Sequence, residues 1–136
     1  MPTFRIREAA ALLGVSDDTV RRWAENGRLP TTRDGSGRAA VEGVDLARFA
    51  EELAADAPRP PEARMRESAR NRLTGLVTKV VTDTVMAQVE LQCGPFRVVS
   101  LLSREAVDDL GLEPGVLAVA TIKSTNVALE VPAPDR

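Results

Sequence analysis

The chain has 136 residues, 43% hydrophobic and 28% charged, with 18 basic against 20 acidic side chains and a formal net charge of −2; that is one ordinary domain or two very small ones, neither disordered nor fibrous. With no histidine and one cysteine, Cys93, it has no internal disulfide framework, no histidine-based acid–base chemistry and no usual zinc ligand set, so an enzyme is not expected. No run approaches ~18 apolar residues and no basic-then-apolar leader opens the chain, so a cytoplasmic protein without a membrane span is expected.

The first elements read as helices. In "IREAAALLG" the apolar residues Ile6, Ala9, Ala10 and Leu13 recur at helical spacing, and Gly14 ends the run. Ser16 is a good N-cap for a second helix, with Asp17 and Asp18 in its first turn, where the helix dipole favours anions, and Val20 and Trp23 on its apolar side. Gly27 and Pro30 stop it. Two short helices joined through "LGVS" form a helix-turn-helix pattern, whose second helix would lie in the DNA major groove. Thr19, Arg21, Arg22, Glu25 and Asn26 fall off its apolar stripe. Trp23 is expected to pack in the core rather than to touch DNA.

The segment "RLPTTRDGSGRAAV" predicts a hairpin with Gly-Ser-Gly at its tip, and Arg28, Arg33 and Arg38 along it suit phosphate oxygens. A third helix, "VDLARFAEELA", would bury Leu46, Phe49 and Leu53. Residues 1–41 hold seven arginines against five carboxylates and no lysine, a small positive excess. The weak charge implies modest affinity for a single copy, so tight binding would need two or more copies on paired half-sites. In "DAPRPPEAR", three prolines among charges allow neither helix nor central strand. The expected organisation is therefore an N-terminal domain over 1–55, a linker over 56–65, a C-terminal domain over 66–132 and a tail over 133–136. Both halves fall near or below the roughly 70–80 residues at which a lone core gives comfortable stability, and oligomerisation is the expected remedy.

Beyond the linker the period changes to two. "LTGLVTKVVTDTVMAQVELQC", "GPFRVVSLLS" and "VLAVATIKSTNVALEV" alternate apolar with polar residues, and between the last two "SREAVDDLGLEPG" reads as a short helix with Val107, Leu110 and Leu112 inward. Four or five strands with one helical insert predict a closed OB-like barrel. Polar donors gather at two places: Ser68, Ala69, Arg70 and Asn71 in "SARN", and Lys123, Ser124 and Thr125 in "KST". Neither contains a carboxylate. A site of hydroxyls, guanidinium, ammonium, carboxamide and backbone N–H groups presents donors in excess, which suits a small oxyanion. Neighbouring barrel strands would bring the two together, within one subunit or between two.

Both halves resemble known families. "FRIREAAALLGVSDDTVRRWAENGRLP" is similar to the winged helix-turn-helix of MerR-type and excisionase-type DNA-binding domains, over residues 4–54. That resemblance implies that the second helix reads DNA and the wing grips the backbone, with Ser16, Thr19, Arg21, Arg22, Asn26, Arg28, Arg33 and Arg38 as the DNA-binding set. "SARNRLTGLVTKV" followed by "VVSLLSREAVDDLGLEPGVLAVATIKSTNVALEV" is similar to the Mop-type molybdate-binding domain (molbindin), also found in TOBE-type segments, over residues 66–132. This second resemblance implies a small β-barrel that holds molybdate or tungstate between subunits, with no organic cofactor. A homo-oligomer follows from it, a hexamer being favoured and a dimer or trimer remaining open. By position it assigns Ser68, Arg70, Lys123 and Ser124 as donors, with Ala69 and Asn71 nearby and Ser103 beside the helical insert. Where such sequences often have glycine in the first hairpin, this chain has Asp83-Thr84, which speaks against a further oxyanion site in that loop.

The combined expectation is an α+β two-domain protein: a small α-helical winged helix-turn-helix followed by an OB-like β-barrel of Mop/TOBE type, acting as a molybdate- or tungstate-responsive DNA-binding regulator. Two other readings remain. One is an oxyanion buffer whose helix-turn-helix serves only assembly or docking, and the other is an excisionase-like architectural protein with no use for an anion.

Overall fold

A computed structural model describes residues 2–58 and 68–133. The expected linker falls mostly outside the described residues, as does the end of the tail. The chain divides into two compact units, Met1–Arg59 and Pro60–Arg136.

In the first unit a short strand β1 (Thr3–Arg5) leads into helices α1 (Ile6–Leu13) and α2 (Asp17–Glu25), followed by strands β2 (Thr32–Arg33) and β3 (Ala39–Glu42) and helix α3 (Gly43–Asp56). Gly14 ends α1 with φ of 73°, a backbone setting that glycine adopts without a steric penalty. The Ser16 hydroxyl oxygen accepts from the Thr19 N–H and caps α2. Ala9, Ala10, Val20, Leu29, Val41, Leu46 and Phe49 form the core, and Trp23 packs edge-on against Phe49 with ring centroids 5.0 Å apart. The expected hairpin is present as β2 and β3. Sequence periodicity did not predict β1, which pairs antiparallel with β3 in the order β1-β3-β2. Three residues are too few to show a period.

The second unit is a curled antiparallel sheet of β4 (Asn71–Thr82), β5 (Met86–Cys93), β6 (Phe96–Ser103) and β7 (Leu117–Ile122), in the order β6-β5-β4-β7, with helix α4 (Arg104–Leu110) between the last two strands. Val77, Ala87, Val89, Leu91, Cys93 and Val107 make its core, joined by Leu73, Val80, Val98, Leu102 and Leu112. A register shift in β4 between Val77 and Lys79 helps the strand bend, as bulges do. The sheet is OB-like in its curl. Among the described residues, β6 and β7 are not paired with each other, so closure is incomplete within one chain.

Two expectations need correction. Leu110 does not point into the core but is 66% exposed, because α4 is only seven residues long and Leu110 ends it at the mouth of an open groove. The last alternating stretch is not one strand. β7 stops at Ile122, Ser124–Asn126 form a 3-10 helical turn, and residues 127–133 join no strand among the described residues. The ladder ends at the Asn71–Ile122 pair, and the 3-10 turn at Ser124–Asn126 takes the chain out of the extended conformation right after it.

Candidate functional site

The exposed side of α2 carries the candidate nucleic-acid residues. Ser16 Oγ lies 2.9 Å from Thr19 Oγ1, and Thr19 Oγ1 accepts from Arg22 Nη2 at 3.4 Å. Arg21 instead donates to Asp18 at 3.4 Å. Asn26 is exposed where the helix ends. The arginines beyond α2 are held in different ways. The Arg28 guanidinium lies 5.7 Å from the Trp23 ring centroid and 5.6 Å from that of Phe49, a cation–π placement that also covers the core. Arg33 donates to the Gly37 carbonyl at 2.9 Å across the hairpin. Arg38 is exposed next to the hairpin tip.

Asp34 organises that tip, although sequence reasoning did not single it out. Its carboxylate accepts from the N–H groups of Ser36 and Arg38 at 2.9 and 3.0 Å, from the Ser36 hydroxyl at 3.1 Å, and from Arg5 Nε of β1 at 3.4 Å. These bonds, the Arg38 N–H first, hold its pKa below the ordinary 3.8. The signal was present in "RDGSG", since aspartate before small turn residues bonds its own backbone two residues on.

In the second unit the β4/β7 ladder brings the two donor clusters together. Its outermost pair is Asn71 opposite Ile122, so Arg70 and Lys123 are the next residues outward from the two strands. Asn71 Nδ2 donates to the Ile122 carbonyl at 3.1 Å and clamps the two strands at this end. Ser68, Arg70, Lys123, Ser124 and Thr125 are exposed, and Ala69 and Asn71 are half-buried. Lys123 caps the 3-10 turn, whose first amides find no acceptor within such a turn. Neither Arg70 nor Lys123 makes an ion pair among the described residues. The result is one sheet end where residues 68–71 and 123–125 supply two cations, three hydroxyls and a carboxamide, and no carboxylate.

Ser103 is not brought to this end. It stands opposite Met86 on the β5/β6 ladder, at the far end of twelve-residue β4, and its hydroxyl oxygen caps α4 by accepting from the Ala106 N–H at 3.0 Å. The Asp83 loop is also at the far end. Its carboxylate accepts from the N–H groups of Met86 and Val85 at 2.7 and 2.8 Å, which, with the positive charge of Arg104, holds its pKa below the ordinary 3.8. An internal carboxylate thus occupies the donors that an external anion would need there.

A helix-turn-helix unit joined to an OB-like unit with a donor-rich strand end defines a two-part binding protein in which each part carries its own candidate site. Residues 67–129 match the family model described as "TOBE domain", and residues 3–54 match "Helix-turn-helix domain". Molybdenum-pterin-binding protein 3 of Clostridium pasteurianum is 41% identical over 63 residues, which are 46% of this chain and 93% of the relative. A probable molybdenum-pterin-binding protein of Haemophilus influenzae is 41% identical over 68 residues, 49% of this chain and 99% of the relative. A solved molybdate binding protein from Sporomusa ovata is similar to 49% of this chain over 100% of its own, with 31% identity and a TM-score of 0.48. The chain belongs to the TOBE-domain family, with a helix-turn-helix domain preceding the TOBE domain.

Proposed function

We propose that this protein binds molybdate or tungstate through its C-terminal unit and DNA through its N-terminal unit, and that it regulates genes of molybdenum uptake or use. The observation that supports the ligand reading is the end of the β4/β7 ladder: its last pair, Asn71 and Ile122, is followed outward by Arg70 on one strand and Lys123 on the other, with no carboxylate in 68–71 or 123–125. A tetrahedral dianion leaving water needs opposite charge and several donors, and bonds from charged donors contribute most. The named ligands of the relatives support the same chemistry. The free oxyanion is favoured over a pterin complex because Phe96 is the single aromatic residue after position 66, so the unit offers little for a pterin ring to stack on.

A homo-oligomer is part of the proposal. Residues 127–131 carry Val127, Leu129 and Val131 at alternate positions, and Leu129 and Val131 are 92% and 86% exposed. An apolar groove of about 480 Å³ opens between Val98 and Leu102 of β6, Leu110 and Leu112 beside α4, and β7. The extended segment of a second copy would fill that groove and lie along an open sheet edge, which also sets the oxyanion site near a subunit boundary.

The test is titration calorimetry of the full chain with molybdate, tungstate and sulfate. Arg70→Ala and Lys123→Ala are each expected to weaken oxyanion affinity about 10- to 100-fold, matching the loss of one charge-assisted bond. Unchanged affinity in both variants would show the site to be elsewhere. One finding favours the buffer reading: the C-terminal unit alone matches 93% of a relative named for ligand binding. Retention of genomic DNA fragments at moderate salt separates the two, because a buffer retains none selectively.

A further inference from the structure

On the proposal that α2 enters the DNA major groove, the side chains on its exposed face decide which sequence it selects. Asp18, Arg21, Arg22 and Glu25 are exposed and follow at i, i+3, i+4 and i+7, so they form one stripe. Val20 is buried on the other side and Trp23 and Ala24 are half-buried. The stripe has two carboxylates and two guanidiniums, so its formal charge is zero. It therefore adds little to binding by neutralising phosphates, which falls to arginines outside the helix.

A carboxylate facing a groove is tolerated only where a donor meets it. Cytosine N4 and adenine N6 are the donors on major-groove base edges, while guanine offers the acceptors N7 and O6 and thymine offers O4. Asp18 is placed for this role, with a side chain 95% exposed and a carboxylate 3.4 Å from Arg21 Nη1. Arg22 is steadied differently, by the Thr19 hydroxyl. Asp17 is half-buried in the same first turn, where the helix dipole also favours an anion.

We propose that Asp18 is a specificity-determining residue: its carboxylate accepts from the N4 amino group of a cytosine while it holds Arg21 on the O6 and N7 of a neighbouring or paired guanine. The helix then selects by donor and acceptor pattern, and affinity for unrelated duplex stays low because the carboxylate repels phosphate. A role confined to the helix dipole would instead lower stability and weaken all sequences alike.

The experiment is selection from a randomised duplex pool by the full chain, with Asp18→Asn and Arg21→Ala alongside. The expected result is an enriched site containing a cytosine, whose preference falls about tenfold or more in Asp18→Asn. That position should lie at or next to the guanine lost in Arg21→Ala, and affinity of Asp18→Asn for unrelated duplex should be higher. The proposal is overturned if Asp18→Asn enriches the same site with the same preference at every position, or weakens all sequences equally. If the wild-type chain enriches no sequence, the DNA reading of α2 itself fails, a result distinct from either of these.

Discussion

A methyl group at Gly75 would stand 2.4 Å from the carbonyl oxygen of Gln92 and 2.7 Å from Cys93 Sγ. Both neighbours belong to β5, so nothing flexible can move aside. Gly75→Ala is expected to destabilise the C-terminal unit by about 1–3 kcal/mol, measured by urea unfolding, and a wild-type midpoint would show that the strands separate easily at that point. Two aspartates act by attraction instead. Asp34 and Asp83 have folded pKa values below the ordinary 3.8, each chiefly through backbone N–H groups in its own turn. A lowered carboxylate pKa contributes stability that is complete above the unfolded pKa and is lost as pH falls through the folded value. Both turns should thus hold at neutral pH and loosen below about pH 4. Asp83→Asn is expected to flatten the acid limb of the C-terminal unit's stability curve while leaving that of the N-terminal unit alone; an unchanged acid limb would show that the turn does not depend on the charge.

At the scale of elements, legibility followed the length and the ends of each segment. Helices α1, α2 and α3 were readable because apolar spacing, Gly14, Ser16 and Pro30 all agree on where they run. The β4/β7 pairing was not readable, since alternation identifies strands and says nothing about which neighbour each will find. Arg70 and Lys123 were therefore nameable as donors from the sequence, which left open whether they meet within one subunit or between two; the ladder puts both just beyond its last pair at one sheet end of one chain. The tail shows the opposite failure: Val127, Leu129 and Val131 alternate as a strand should, but the 3-10 turn at Ser124–Asn126 interrupts the strand and they join no ladder among the described residues. Ser103 is a further example, because its position beside α4 fits both a cap and a ligand donor. Ser103→Ala is expected to cost about 1 kcal/mol of stability through the lost cap and to leave oxyanion affinity unchanged. A loss of affinity instead would place Ser103 in a site built with a second copy.

For the molecule as a whole, the question is whether one chain makes a complete site. Arg70 and Lys123 stand at one sheet end of a single chain, so some oxyanion affinity should survive in a monomer. A tetrahedral anion held from one side nevertheless keeps much of its surface in water, where charge-assisted bonds are weaker. Residues 127–131 leave directly from the donor cluster at Lys123–Thr125, so a tail seated in another copy would draw that copy against the ion. Two effects follow. Molybdate should stabilise the assembly by mass action, by about 2.7 kcal/mol at a hundredfold excess over the dissociation constant. Removing residues 127–136 should leave each sheet folded, because its cores lie in β4 to β7 and α4, yet reduce the native mass to that of one chain and weaken molybdate binding by more than tenfold. Native mass spectrometry and calorimetry on the shortened chain check both results. A shortened chain that still assembles would assign the subunit contact to another surface, and the exposed Leu76, Leu101, Leu117 and Val119 of the sheet would then be the place to look. One that becomes monomeric with full affinity would show that the site is complete within a single chain, so that the ion does not act as the joint between copies.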